Sequence, residues 1–143
     1  MPDPVVSTAS TAWKGDLFNG SGKTTLDTSG LGTYDVAWKA RTDPDAGTTN
    51  PEELLAAAHA TCFSMAFSND LASNGTAPTS VDTKAEVTFV AGTGITGIAL
   101  TVRAQVEDIS EEDFQRIAEA TRTSCPVSQA LAATPISLTA TLA

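Results

Sequence analysis

The sequence predicts an α+β domain: an antiparallel sheet of about six strands, with a long central helix and a second helix pair packed on it. Three observations carry this expectation. Alternation of apolar and polar residues runs through VDTKAEVTF, IALTVRAQVE and ISLTATL. A long apolar stretch with helix-start chemistry opens at Asn50. Gly-rich breaks separate short strand-like segments in residues 1–40.

The elements follow in order. STAWKGDLF leads through Asn19-Gly20-Ser21-Gly22 into KTTLDT, which reads as a hairpin. After Gly30-Leu31-Gly32, the segment TYDVAWKAR alternates Tyr34, Val36 and Trp38 with Asp35, Ala37 and Lys39, as a strand does. TDPDAGTT, residues 42–49, holds Pro, Gly and two Asp and reads as a loop.

Asn50-Pro51-Glu52-Glu53 starts the central helix. Asn50 can cap, Pro51 suits the first helical position, and the two Glu complement the positive end of the macrodipole. Asn74-Gly75 stops it. Leu54, Leu55, Ala57, Ala58, Phe63, Ala66, Phe67 and Leu71 cover most of its circumference. A belt that wide implies burial on several sides, by the chain's own sheet and by a second subunit.

The next two strands place Val81, Ala85, Val87 and Phe89 on one face, then Ile98, Leu100, Val102, Ala104 and Val106. Ser110-Glu111-Glu112-Asp113 caps a second helix. Ser124-Cys125-Pro126 interrupts it, and Pro126 starts a short third helix before the last strand, ISLTATL.

The totals restrict the function. At 143 residues the chain is read as one domain spanning 1–143. Such a length can bury roughly 70% of the surface its unfolded chain exposes, so no staple is needed for a core. The net charge is -9 and no Lys/Arg run exists, which argues against nucleic acid and against anionic lipid as partners. MPDPVVSTAS has no basic region and no apolar core of a signal peptide. No apolar run approaches a membrane span, so a cytoplasmic protein with reduced thiols is expected.

The chemistry then rests on two cysteines. Cys125 sits beside Pro126 at a helix start, where free N–H groups and partial positive charge favour thiolate. It can also simply pack where the chain turns. Cys62 lies among Leu and Phe, where burial raises a thiol pKa, so reactivity there needs a cation delivered from elsewhere. His59, three residues earlier, can face the same way or be a satisfied core or interface residue. Two cysteines and one histidine fall short of a closed zinc site, and no metal or other cofactor is expected.

GTTNPEELLAAAHATCFSMAFS, PTSVDTKAEV and SCPVSQAL together resemble the family of osmotically inducible protein C (OsmC), which also contains the organic hydroperoxide resistance (Ohr) proteins. The similarity runs from AWKGD to the final strand, and HATCFSMA with CPVSQAL fits the OsmC branch. The resemblance implies a thiol peroxidase of the stress response, built as an intertwined homodimer without metal or haem. It implies that Cys62 attacks the peroxide and Cys125 resolves, with Glu52 and Arg41 as the family glutamate and arginine and Lys39 as the fallback cation. It implies a hydroperoxide substrate and an external dithiol, lipoyl-type or other, as reductant. Glu52 and Cys62 are ten residues apart, or roughly 15 Å along one helix, so sites assembled at a dimer interface are expected. A non-catalytic scaffold or ligand-binding module, and a redox sensor, are the rival readings.

Overall fold

Strand pairing divides the chain into two three-stranded sheets rather than one sheet of six. The computed structural model describes residues 2–143, which form two compact units, residues 2–51 and 52–143.

The first unit holds β1 (Ser10–Lys14), β2 (Ser21–Thr25) and β3 (Thr33–Val36), antiparallel in that order. The β1–β2 hairpin turns earlier than the glycine pattern predicts. β1 stops at Lys14, paired with Ser21, and Gly15 takes φ 89°. Asp16 then holds the turn: its carboxylate accepts from the Asn19 backbone N–H at 2.7 Å, and its carbonyl accepts from Gly20 at 3.0 Å. The Asn19 backbone N–H and then its side-chain amide hold the Asp16 carboxyl below its ordinary pKa.

TYDVAWKAR is a strand only to Val36, which pairs with Gly22 near the start of β2. Beyond it β2 offers no partner, and Trp38–Arg41 winds into a 3-10 turn instead. The Asn50 side-chain amide donates to the Ala40 carbonyl of this turn at 2.7 Å.

The second unit contains α1 (Pro51–Ser73), β4 (Pro78–Val90), β5 (Gly94–Val106), α2 (Glu111–Ser124), α3 (Pro126–Ala130) and β6 (Ile136–Leu142). α1 ends where Asn74-Gly75 predicts: Gly75 takes φ 82°, and Thr76 N–H returns to the Leu71 carbonyl at 3.0 Å. Ser110 caps α2 by accepting from Asp113 N–H at 3.1 Å.

The sheet order is β4-β5-β6. β4 and β5 form an antiparallel hairpin, but β6 runs parallel to β5, with Ile98 opposite Ile136 and Ala104 opposite Leu142. The expectation of a purely antiparallel sheet is corrected here. A strand that follows its neighbour through a helical crossover returns in the same direction, and α2 and α3 are that crossover.

The core lies between this sheet and the helices. Phe63, Phe67 and Leu71 of α1 meet Leu100, Val102 and Ala104 of β5 and Phe114, Ile117 and Ala118 of α2. Phe67 is central, with ring centroids 5.5 Å from Phe63 and 5.4 Å from Phe114, the latter edge-on. The wide apolar belt of α1 is buried on one side only: His59, Phe63, Phe67 and Leu71 are inside, while Ala57, Ala58 and Thr61 are exposed and Met65 is 70% exposed.

Candidate functional site

α1 brings Cys62 to the start of α3. Cys62 is half-buried and packs against the core cluster that contains Cys125, which is fully buried. Both are free thiols. Cys125 is close enough to Cys62 for its thiol to raise the Cys62 pKa.

Two helix ends fix Cys125. Its N–H donates to the Thr121 carbonyl at 2.9 Å, closing α2, and its carbonyl accepts from Gln129 at 3.0 Å, opening α3. It is the residue before Pro126, as the sequence predicts, but its side chain makes no capping hydrogen bond. The start of α3 acts on the other cysteine: the Val127 backbone N–H lowers the Cys62 pKa. Pro126 has no N–H, so Val127 is the first donor that this helix can present. The sequence reading considers this helix start only for Cys125.

The electrostatic balance at Cys62 favours the thiol. Burial raises its pKa above the ordinary range, the Val127 N–H opposes that, and the neighbouring Cys125 thiol adds to the rise. Peroxide chemistry needs the thiolate, so the residues packed around Cys62 do not by themselves prepare it.

Of the other expected site residues, Glu52 is buried in the first turn of α1. α1 is unbroken from Pro51 to Ser73, so Glu52 stands roughly 15 Å from Cys62 along the axis, as the spacing predicts. Arg41 ends the 3-10 turn with its guanidinium carbon 5.7 Å from the Trp38 ring centroid. Lys39 is exposed and lies 3.7 Å from Asp43.

A second polar contact joins α1 to α3. His59, fully buried, shares a 2.7 Å hydrogen bond between Nε2 and Oγ of Ser128, itself only 3% exposed. Burial lowers the His59 pKa, which keeps the ring neutral, and among the described residues Nδ1 has no hydrogen-bond partner. His59 is therefore a core residue, as one of the two sequence readings had it, but it is satisfied at Nε2 alone. Its partner, 69 positions away, carried no local signal.

A family profile described as "OsmC-like protein" matches residues 43–140. Peroxiredoxin OsmC of Escherichia coli is 41% identical over 124 residues, covering 85% of this chain and 86% of that protein. Among solved structures, an organic hydroperoxide resistance protein OsmC from Legionella pneumophila superposes with a TM-score of 0.70 at 23% identity, over 97% of this chain and 100% of the other. An OsmC-like protein from Mycoplasma pneumoniae gives 0.72 at 14% identity, over 96% and 97%. These two likenesses speak for the fold. With the profile spanning both cysteines and the 41% identity across most of the sequence, the chain belongs to the OsmC-like protein family.

Proposed function

We propose that this chain is a thiol-dependent peroxidase that reduces organic hydroperoxides, and hydrogen peroxide as well, in the cytoplasm under oxidative or osmotic stress. The observation that carries the reading is that two free thiols, Cys62 on α1 and Cys125 at the start of α3, meet at one core cluster. The peroxiredoxin name of its 41% identical relatives supports the same chemistry.

The Cys62 thiolate attacks the distal oxygen of the peroxide. The O–O bond breaks, the alkoxide leaves and is protonated to the alcohol, and Cys62 becomes a sulfenic acid. Cys125 then attacks that sulfur and releases water, forming the Cys62–Cys125 disulfide. An external dithiol supplies two electrons and two protons to restore both thiols. No metal or organic cofactor enters this scheme.

Because the local environment of Cys62 favours the neutral thiol, activation must come from added charge. The reading assigns this to the Arg41 guanidinium, with Glu52 holding its fork by a bidentate pair. The separation of Glu52 from Cys62 along α1 is met by a homodimer in which two copies of α1 cross, bringing Glu52 of the partner subunit toward Cys62. The exposed face of α1 carrying Ala57, Ala58 and Met65 suits such a crossing. Each copy is read as one OsmC-like domain spanning the chain.

Turnover of cumene hydroperoxide with a dithiol reductant tests the function. We expect many equivalents consumed per chain, with thiol loss matching peroxide loss. A burst of one equivalent that stops despite excess reductant would instead favour a redox sensor. No consumption at all would favour a scaffold or ligand-binding module.

A further inference from the structure

We infer that the buried His59–Ser128 pair is a positioning device for the resolving step, one that keeps Cys125 beside Cys62 while the Cys62 sulfur changes chemistry. The inference rests on the peroxidase reading above.

The register of the two contacts carries it. Cys62 follows His59 by three residues on α1, and Ser128 follows Cys125 by three residues at the start of α3. Cys62 packs against the core cluster that contains Cys125, and His59 shares its hydrogen bond with Ser128, so the two contacts form two rungs, one helical turn apart, in antiparallel register. A single contact is a pivot; two contacts a turn apart fix the direction of α3 against α1.

α3 needs such fixing. It has only five residues, and Cys125 sits at its junction with α2. A helix that short has little intrinsic stability and takes its orientation from its tertiary contacts. During the cycle the first rung is remade, because Cys62 passes from thiol to sulfenic acid and then to disulfide. The second rung contains no reacting atom. His59 is fully buried and Ser128 nearly so, and burial keeps the imidazole neutral, so no buried charge loosens the contact.

His59 does not serve as a base for a Ser128 nucleophile: among the described residues Nδ1 has no hydrogen-bond partner to orient the ring, and the hydroxyl is buried. Nor does it touch the peroxide in this scheme. Its effect passes through Ser128 to the backbone that carries Cys125.

The experiment separates attack from resolution in wild type, Ser128→Ala and Ser128→Thr. Pre-reduced protein is mixed with cumene hydroperoxide, and Cys62 oxidation, disulfide formation and sulfinic acid are followed by quenched alkylation and mass spectrometry. In Ser128→Ala the attack rate should stay within about twofold of wild type, while disulfide formation slows at least about tenfold and over-oxidation of Cys62 rises. Ser128→Thr, which keeps the hydroxyl, should restore resolution to within about threefold of wild type. Resolution as fast in Ser128→Ala as in wild type overturns the inference. So does an equal slowing of both phases that Thr fails to rescue, since that reports general damage. If wild type consumes no peroxide or forms no Cys62–Cys125 disulfide, the peroxidase reading itself fails, and this inference falls with it.

Discussion

Replacing Cys62 with Ser is expected to lower peroxide consumption by at least about a thousandfold, because the remaining thiol, Cys125, is fully buried and a serine hydroxyl does not reduce peroxide. Replacing Cys125 should look quite different. Attack proceeds once, then Cys62 stays as sulfenic acid with no internal thiol to condense with, and excess peroxide drives it to the irreversible sulfinic acid. The measurement is stoichiometry: about zero equivalents for Cys62→Ser, about one before inactivation for Cys125→Ser, and many for the wild type with dithiol present. Full activity in Cys62→Ser would remove the assignment. Because Cys125 is fully buried in the core cluster, the Cys125→Ser protein should be checked by unfolding before its kinetics are compared.

The second large effect is expected at Arg41. The sign follows from the Cys62 environment, where burial already lifts the thiol pKa and the Val127 N–H only partly opposes it. A paired guanidinium stabilises the charged form and moves the titration toward neutral pH, while its loss moves it back up. Arg41→Ala should therefore shift the pH profile of Cys62 alkylation upward and slow peroxide attack at neutral pH by about 10- to 1000-fold, at unchanged stability. Raising the pH should recover part of the rate, because the Cys62 thiol then loses its proton to solvent without the guanidinium. Arg41→Lys should also be impaired, since a point charge cannot bridge a carboxylate and a thiolate as the planar fork does. An unmoved alkylation profile in Arg41→Ala would pass the role to Lys39 or leave the site without a cation.

Much of the fold was legible because its signals are local. Ser110 caps α2, Cys125 precedes Pro126 at the start of α3, Asn74-Gly75 ends α1, and β6 spans the alternating ISLTATL. What the sequence hid was pairing. Alternation says which face a strand buries but not which strand lies beside it, so one antiparallel sheet was expected where two sheets and a parallel β5–β6 pair stand. Trp38 alternates with its neighbours as a strand residue would, yet the chain leaves the sheet when β2 runs out of partners. At the site, the two cysteines and Pro126 could be singled out by type and spacing. The direction of the Val127 N–H and the partnership of His59 with Ser128 depend on how α3 meets α1, which no local pattern encodes.

The parallel return of β6 also sets an order of assembly. The β4–β5 hairpin closes through the short turn around Gly92 and can form on its own within microseconds. β6 can join only after residues 107–135 have been gathered into a closed loop, a step whose entropy is lost before any ladder bond forms. Cys125 lies inside that loop. It should therefore arrive beside Cys62 late, so that during folding the reactive thiol stands for a time without its resolving partner. A chain cut before Ile136 should keep the β4–β5 hairpin but expose Cys125 to rapid alkylation, whereas persistent protection of Cys125 in that fragment would show that α2 and α3 dock without the strand. If the late arrival holds, the vulnerable moment for over-oxidation is birth rather than service, and a peroxide pulse given during refolding should damage Cys62 more than the same pulse given to the finished protein.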